Sequence, residues 1–409
     1  MLIWDLVLWI WNFIFMLLSD FNYHLPTELI AQEPTSPRDA CRLLVLGRKS
    51  GEISHRHFFE IGKFLRPGDL LVVNNTKVFK ARLIGDLAGK KVEIFLVRPV
   101  SLPLVKGERE GVRSNVDNPS SPPLRKGRKV GCWLALGKPG RRLKPGETVN
   151  FADDFSCRII SKNKSGELEI DFGLPPSRVI ELANKYGHIP VPPYIKSEPT
   201  VAEDYQTIYA DEHKIGSVAA PTAGFHFTEE LIKKLKEPAR NASSHSEAGG
   251  RGIEFAEITL HVGLGTFLPI REDDISAHKM HSEWVEISAA AAEKINAAKH
   301  AGRRVIAVGT TTTRALEGVA NSNADFRLQN AEYRQSVVKS FSGFVNLFIQ
   351  PGFEFKVIDG LVTNFHLPKS TLLVLVSAFA GRENIIRAYE EAVREKYRFY
   401  SFGDAVLII

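Results

Sequence analysis

Three ionisable side chains lie close together in the segment DISAHKMHSEW: His278, His281 and Glu283. Histidine titrates near neutrality and its imidazole ligates metals well, so this cluster indicates proton transfer, substrate binding or metal ligation. The segment lacks the H-E-x-x-H spacing that is typical of catalytic zinc sites. An ordinary hydrogen-bonded surface remains the alternative.

A second candidate is the segment RRVIAVGTTTTRALE, whose pattern predicts a buried strand, a turn at Gly309 and then a helix. Backbone N–H groups and threonine hydroxyls at the start of a helix favour a carboxylate or phosphate, and Arg314 would add a charge-assisted donor. In α/β sheets, ligands bind beyond the carboxyl end of a strand. The alternative is a capped helix in which Arg314 pairs with Glu317.

Two further segments place small residues next to histidines. PTAGFHF puts Gly224 and His226 in a turn just before Thr228, a helix-capping residue, so its backbone N–H groups favour an anion. A capped turn with a hydrogen-bonded histidine is the alternative. HVGLGTF begins at His261, and its two glycines permit close backbone approach. It is not a dinucleotide-binding fingerprint, because the third glycine and the following helix are missing.

Polar residues also gather in two segments near the C-terminus. TNFHLPKST ends a predicted strand with Asn364, His366 and Lys369 in a turn fixed by Pro368. YRFYSFGD interleaves Arg398 with aromatic rings, on which an unpaired nucleobase can stack. An aromatic core is the alternative interpretation of that row.

The sequence patterns around these residues predict two domains. Short apolar runs between Pro-Gly turns predict a small antiparallel β-barrel over residues 66–172. Residues 16–65 and 173–409 alternate helical patterns with buried strands, which predicts an α/β layer domain with a mostly parallel sheet. The barrel is therefore an insertion in the α/β domain. We expect residues 101–130 and 237–252 to be flexible insertions.

Individual elements follow from the same patterns. Helical periodicity covers five segments: Arg178–Tyr186, Thr228–Lys236, Ser288–His300, Thr311–Ala320 and Glu383–Tyr397. Four apolar runs are interpreted as strands: EFAEITLHV, RVIAVG, DGLVTN and TLLVLVSAFA.

Composition sets broad limits on the function. The chain has 409 residues, of which 44% are hydrophobic, so it can bury a large core. Its three cysteines, Cys41, Cys132 and Cys157, form no C-x-x-C pair, which argues against a structural zinc site or a disulfide scaffold and favours a reducing cytoplasm. The net charge of +6 includes +4 from residues 101–130 alone, so charge does not by itself indicate a polyanionic partner.

The first fifteen residues, MLIWDLVLWIWNFIF, are very apolar. They lack the positive start of a secretory signal and the roughly 20 apolar residues of a spanning helix. We expect Met16 to open the protein and no membrane to be a partner. An interfacial anchor and a genuine membrane span remain the alternatives.

Ten collinear segments between Leu17 and the C-terminus together resemble the S-adenosylmethionine:tRNA ribosyltransferase-isomerase family of queuosine biosynthesis. The segments are DFNYHLPTELIAQEP, LLVVNNTKV, GHIPVPPYI, YQTIYA, VAAPTAGFHF, LHVGLGTF, HKMHSEW, VGTTTTRALE, TNFHLPKSTLL and YRFYSFGDA. The sequence departs from the family pattern at four positions, which usually carry Asp, Arg, Arg and Leu: Asn75, Lys77, Asp204 and Phe225.

The resemblance implies a monomeric α/β protein with an inserted barrel, acting on tRNA that carries 7-aminomethyl-7-deazaguanine at the wobble position. The family uses S-adenosylmethionine as a ribosyl donor, releases adenine and methionine, and leaves epoxyqueuosine in the tRNA. S-adenosylmethionine is thus a co-substrate, and no cofactor or metal is implied.

This reaction needs a base beside the sulfonium, protonation of the leaving adenine and placement of the amine of the modified base. The expected catalytic or orienting residues are His278, His281, Glu283, His226 and His366. Gly309 to Arg314 would hold the methionine carboxylate or a tRNA phosphate. The expected substrate-binding residues are Thr222, Gly224, His261, Gly263, Gly265, Thr266, Gly309, Thr310, Thr311, Arg314, Asn364, Lys369, Arg398, Tyr400 and Asp404.

Two other functions remain open at this point. The cluster of His278, His281 and Glu283 would also suit a metal-dependent hydrolase. The basic stretch 101–130 and the aromatic YRFYSFGD segment would suit a non-catalytic RNA-binding module.

Overall fold

A computed structural model describes residues 16–100, 131–164, 166–192, 194–196, 198–199, 201–238, 251–263, 273–278, 280–322 and 336–409. The chain forms two compact units. The larger unit joins the residues up to Val78 with Val191–Ile409, and the smaller unit is Phe79–Pro190.

The larger unit is built on a nine-stranded sheet. Its strands are β1 (Arg42–Leu46), β2 (Ile53–His57), β3 (Leu70–Asn74), β12 (Glu254–His261), β13 (Glu283–Ile287), β14 (Val305–Val308), β15 (Phe341–Val345), β16 (Gly360–Asn364) and β17 (Ala405–Ile408). Their spatial order is β15-β13-β12-β3-β14-β16-β17-β1-β2. A separate parallel pair is formed by β4 (Lys77–Val78) and β11 (Ile215–Ser217).

The four central strands pair in parallel, and an antiparallel pairing borders them on each side. Strands β12, β3, β14 and β16 run in one direction. Strands β17 and β1 run together in the opposite direction, and β13 is antiparallel to β12. The sheet is therefore mixed, with its parallel pairings concentrated where the sequence has its most continuous apolar runs.

Helices cover both faces of this sheet. The helices are α1 (Pro176–Tyr186), α2 (Glu229–Lys236), α3 (Ala289–His300), α4 (Thr310–Ser322), α5 (Thr371–Ala380) and α6 (Arg382–Arg394), and all but α1 belong to the larger unit. Side chains of β3 alternate between two cores: Leu70 and Val72 face α3 to α6, whereas Leu71 and Val73 face α2. The five helical segments predicted from periodicity are all helices.

One predicted strand is a helix. The run TLLVLVSAFA forms α5, and the interpretation as a strand was wrong. A helix buried on nearly all sides loses the 3.6-residue alternation that distinguishes helix from strand. The overlooked signal is Ser370, whose hydroxyl accepts a hydrogen bond from the Leu373 N–H at 3.2 Å and caps the helix.

The smaller unit contains a closed antiparallel barrel in the order β10-β7-β6-β5-β8-β9. Its strands are β5 (Arg82–Leu87), β6 (Lys90–Pro99), β7 (Cys132–Lys138), β8 (Thr148–Ala152), β9 (Phe155–Lys162) and β10 (Leu168–Asp171). Alternate side chains fill the interior, with Trp133 and Phe155 each only 1% exposed. The prediction of an α/β domain with an inserted antiparallel barrel is confirmed.

The bounds of the two units differ from the expected ones. Strand β3, assigned from sequence to the barrel, lies in the middle of the nine-stranded sheet, and the smaller unit extends to Pro190 rather than ending at residue 172. A short apolar strand near a Pro-Gly turn looks the same in both settings. Residues 1–15, residues 101–130 and most of 237–252 lie outside the described residues.

Candidate functional site

The parallel strands of the larger unit bring their carboxyl ends to one edge of the sheet, which we call the carboxyl edge. Strands β3, β12, β14 and β16 end there, at Asn74, His261, Val308 and Asn364. Strands that run the other way begin there, so the starts of β13, β17 and β1 lie at the same edge. The carboxyl edge is where ligands bind in α/β sheets, and most of the predicted site residues lie along it.

At one end of the carboxyl edge, a buried ion pair joins Arg314 and Glu283, and a hydrogen bond joins Glu283 to Gly263. Arg314 Nη1 lies 2.6 Å from Glu283 Oε2, and each side chain is only 4% exposed. The other carboxylate oxygen, Glu283 Oε1, accepts a hydrogen bond from the Gly263 N–H at 3.1 Å. Arg314 Nε donates to the Leu347 carbonyl at 3.2 Å. The guanidinium is therefore committed to holding Glu283, and through it the backbone at Gly263.

Gly309 and the threonines after it form the start of α4. Gly309 has φ of +97°, a left-handed conformation that glycine adopts without strain. Two of the four threonines are engaged within the helix, because Thr312 Oγ1 donates to the Val308 carbonyl and Thr313 Oγ1 to the Gly309 carbonyl. Thr310 and Thr311 are buried side chains in the first turn. They are the threonines whose position suits a ligand at the helix start.

The turn of PTAGFHF lies beside this helix start. A Cβ atom added at Gly309 would lie 3.7 Å from Ala223 Cβ, so the Thr222–Gly224 turn and the start of α4 are neighbours. Gly224 itself is required by packing, because a Cβ atom there would come within 2.0 Å of the Tyr209 hydroxyl. Thr228 caps α2 as predicted, accepting a hydrogen bond from the Leu231 N–H at 3.1 Å.

At the other end of the carboxyl edge, His226 contacts Cys41 and Asn364. His226 Nδ1 lies 3.1 Å from Cys41 Sγ, and all three side chains are buried. Burial lowers the pKa of His226 to about 4. The Asn364 side chain raises this pKa, and the positive charges of Arg38 and Arg398 lower it further. His226 is thus neutral at physiological pH. Burial raises the pKa of the Cys41 thiol well above its usual range, so the thiol is protonated.

His261 is a second neutral imidazole on this edge. Its Nδ1 lies 2.8 Å from Thr76 Oγ1, and burial lowers its pKa to about 4. The ring fits against the backbone of β11 only because residue 216 is glycine, where a Cβ atom would lie 2.7 Å from His261 Nε2. Ser217 of the same strand accepts a hydrogen bond from the Val262 N–H at 2.9 Å. These contacts fix the chain where β12 ends.

His366 is fixed by hydrogen bonds to buried neighbours. Its ring Nε2 lies 2.9 Å from Thr363 Oγ1. Its backbone N–H donates to the Tyr389 hydroxyl at 3.2 Å, and its backbone carbonyl accepts from the Tyr23 hydroxyl at 2.5 Å. Burial lowers the pKa of His366 to about 3. Lys369, three residues on, is exposed and has φ of +58°.

The C-terminal segment packs as core, the alternative that the sequence left open. The Tyr400 ring stacks on Tyr194 with 4.5 Å between centroids and is 5% exposed. Asp404 is buried and accepts hydrogen bonds from the N–H groups of Arg42 at 2.9 Å and Arg398 at 2.8 Å. Burial raises the pKa of Asp404, although these two N–H groups oppose the shift. The Arg398 guanidinium donates to Thr35 and to the Glu33 carbonyl.

The predicted cluster of two histidines and a glutamate is divided between surface and core. Glu283 is buried, His281 is exposed, and the half-buried His278 ring meets Phe348 edge-on, with 5.3 Å between centroids. Gly265 and Thr266 lie outside the described residues.

Within the described ranges, no group of three or more His, Cys, Asp or Glu residues is arranged to hold a metal ion. Among those same residues, no helix is both long and apolar enough to span a bilayer. A surface depression of about 430 Å³ beside α2 is lined by residues outside the predicted set: Ile208, Tyr209, Glu229, Ile232, Lys233 and Lys236.

Sequence reasoning missed several residues of the carboxyl edge. Asn74 accepts from the N–H groups of Thr76 at 3.1 Å and Leu260 at 3.0 Å, and so ties the end of β3 to β12. The signal was present, since a polar NNT triplet ends a buried strand just as the other candidates do. Cys41 was set aside as one of three scattered cysteines, and its partner His226 is 185 residues away, a contact that only folding reveals.

The chain is similar to known proteins along almost its whole length. A family model described as queuosine biosynthesis protein matches residues 18–408. Curated proteins named S-adenosylmethionine:tRNA ribosyltransferase-isomerase are 48% identical in Carboxydothermus hydrogenoformans and 44% in Moorella thermoacetica, each covering 96% of this chain and 100% of the relative.

A crystal structure of S-adenosylmethionine tRNA ribosyltransferase from Thermotoga maritima is 34% identical, covers 96% of this chain and 100% of its own, and gives a TM-score of 0.47. Because the family model and the two relatives span almost the whole chain, the chain belongs to the queuosine biosynthesis protein family.

Proposed function

We propose that this chain transfers the ribosyl moiety of S-adenosylmethionine to 7-aminomethyl-7-deazaguanine at the wobble position of tRNA and isomerises it. The products are epoxyqueuosine in the tRNA, adenine and methionine. The observation that carries the proposal is full-length similarity, at 48% identity, to a protein named S-adenosylmethionine:tRNA ribosyltransferase-isomerase. S-adenosylmethionine serves as a substrate that is consumed, so no resident cofactor is needed for this chemistry.

The residues of the carboxyl edge support a division of tasks. The methionine carboxylate of the donor, or a tRNA phosphate, is an anion that suits the first turn of α4, where Gly309, Thr310 and Thr311 lie at the positive end of a 13-residue helix. Arg314 cannot share this task while it is paired with Glu283. We therefore assign Arg314 and Glu283 to holding the backbone at Gly263, which approaches the substrate closely because it has no side chain.

Proton transfer is assigned to the histidines. Removing a proton from the carbon beside the sulfonium requires a base that is neutral before it acts, and His261 meets this requirement because burial keeps it uncharged. The neutral His226 is assigned to hydrogen-bond donation. The exposed His281 suits proton exchange with solvent or orientation of the modified nucleotide. Departure of adenine requires a proton at a ring nitrogen, which a positioned imidazole N–H can donate as a hydrogen bond.

The decisive assay is product analysis. Purified chain incubated with S-adenosylmethionine and tRNA carrying the aminomethyl base should release adenine and methionine together, as measured by chromatography. The same tRNA without the modification is the matched control and should give neither product. Release of no adenine would favour an RNA-binding module. Stoichiometric zinc retained through chelation, without adenine release, would favour a hydrolase.

We further propose that the enzyme acts as a cytoplasmic monomer. Light scattering during size-exclusion chromatography should give the mass of one chain, 45.6 kDa. A mass of two chains that persists on dilution would contradict the monomer.

A further inference from the structure

Cys41, His226 and Asn364 form a buried row at one end of the carboxyl edge. Cys41 precedes β1, His226 follows the Thr222–Gly224 turn, and Asn364 ends β16, so three separate elements contribute one residue each. The contact from Cys41 Sγ to His226 Nδ1 is 3.1 Å. Asn364 raises the pKa of His226 against the larger effect of burial, which lowers it.

The orientation of Asn364 follows from its amide group. Asn364 Nδ2 donates to the Tyr400 carbonyl at 2.8 Å, so the amide nitrogen faces the C-terminal segment and Oδ1 is left as an acceptor. Within the described residues, Asn364 Oδ1 and His226 Nε2 are both buried, and neither has a partner at hydrogen-bond distance. Asn364 Oδ1 is therefore an acceptor available to a proton at Nε2.

The other side of the ring gives the same assignment. Burial keeps Cys41 protonated, with the nearby carboxylates Asp404 and Asp39 adding to the effect, so its S–H is a donor. An S–H donor requires an acceptor at Nδ1, and a neutral imidazole that accepts at Nδ1 carries its proton at Nε2. The charges facing His226 are the guanidinium groups of Arg38 and Arg398, which favour the neutral ring.

Cys41 and His226, each 3% exposed, line a small cavity of about 10 Å³ together with Arg38, Phe225 and Phe402. The cavity has about the size of one water molecule. The Phe58 ring lies 5.1 Å from the His226 ring and limits its rotation. An orienting group on one ring nitrogen is the arrangement by which enzymes fix the tautomer of a working histidine.

We propose that Cys41 is a positioning residue, whose S–H holds His226 in the tautomer that carries its proton at Nε2, with Asn364 as the third member of the row. The proposal rests on the proposed function only in giving His226 a role in proton transfer; the tautomer itself is a property of the free protein. In the reaction, a fixed tautomer means that the ring needs no rotation or proton exchange before it acts.

The direct test is ¹⁵N NMR of the histidine ring nitrogens in the full chain without substrate. The chain has 12 histidines, so the His226 signals are assigned by their loss in His226→Gln. We expect the wild type and Cys41→Ser to show a bare Nδ1 and a protonated Nε2, and Cys41→Ala to show a mixture of tautomers. A wild-type proton at Nδ1, or an unchanged tautomer in Cys41→Ala, would overturn the proposal.

Turnover gives an independent readout. Cys41→Ala should lower kcat about 10-fold or more at unchanged KM and shift the acidic limb of the pH profile, whereas Cys41→Ser should stay within about 3-fold of wild type. Cys157→Ala is the matched control, because Cys157 is an equally buried thiol in the smaller unit and should leave both parameters unchanged.

Failure of the proposed function and failure of the inference about Cys41 give different results. If the wild type releases no adenine, the proposed function fails and the NMR result still decides the tautomer. If the wild type is active, and Cys41→Ala keeps the wild-type kcat and pH profile as Cys157→Ala does, the inference fails and the proposed function stands.

Discussion

The two ends of the carboxyl edge handle buried polar groups in opposite ways. At the charged end, Glu283 and Arg314 offset the cost of burial by pairing at 2.6 Å. At the neutral end, His226, Cys41 and Asn364 carry no charge, and Cys41 Sγ lies 3.1 Å from His226 Nδ1. The difference teaches how each end tolerates burial. At the neutral end, burial shifts the pKa values so that His226 and Cys41 keep their uncharged forms at physiological pH.

Breaking the charged end should have the largest effect on stability. Glu283→Gln leaves the Arg314 guanidinium buried without its counter-charge, and we expect the free energy of unfolding to fall by about 3–5 kcal/mol. Urea unfolding measures this. The double variant Glu283→Gln with Arg314→Met removes the orphaned charge and should recover much of the loss. A single variant as stable as wild type would contradict the structural role assigned to this pair.

Histidine substitutions should affect turnover more than stability. We expect His226→Gln at the neutral end, and the exposed His281→Ala, each to lower turnover about 100-fold. His300→Ala at the exposed end of α3 is the matched control for His281 and should be active. Near-normal turnover by a folded variant would remove that histidine from the proposed mechanism and leave its neighbours as candidates.

The neutral end also predicts a pH dependence of stability. The folded-state pKa of His226 is lowered from 6.5 to about 4, so the unfolded chain binds more protons between these values. Its contribution is therefore present above pH 6.5 and is lost as the pH falls towards 4. Between pH 7 and pH 5 the loss is about 2 kcal/mol for this histidine. His226→Gln should reduce the acid sensitivity by that amount in urea unfolding, and an unchanged slope would contradict the burial of a neutral ring.

The smallest effect is expected between the two ends, at Gly309. Gly309→Ala keeps ordinary packing, with Thr311 Oγ1 at 3.5 Å, but places a side chain on a left-handed residue with φ of +97°. We expect a loss of about 1 kcal/mol. Gly352→Ala, at φ of +93° with open space around it, should cost as much stability without altering the KM for S-adenosylmethionine. Equal KM values in both variants would argue against a ligand at the start of α4.

The difference between the two ends also explains what sequence could and could not predict. Most of the carboxyl edge could be predicted from strand ends that are followed by Gly, Thr, Asn or His, because a local pattern shows where a buried strand ends. The pairing of Arg314 with Glu283 rather than Glu317 was not predictable, since it depends on β13 lying beside β12. The Cys41–His226 contact joins residues 185 positions apart. Likewise, α5 was interpreted as a strand because complete burial erases helical periodicity.

The central claim is that this edge of the sheet carries a ribosyl transfer that consumes S-adenosylmethionine. Its most direct measurement is the stoichiometry of adenine and methionine released per modified tRNA by the wild-type chain. The account predicts one adenine and one methionine for each tRNA converted, and none with unmodified tRNA. Absence of adenine, or equal release with unmodified tRNA, would contradict it.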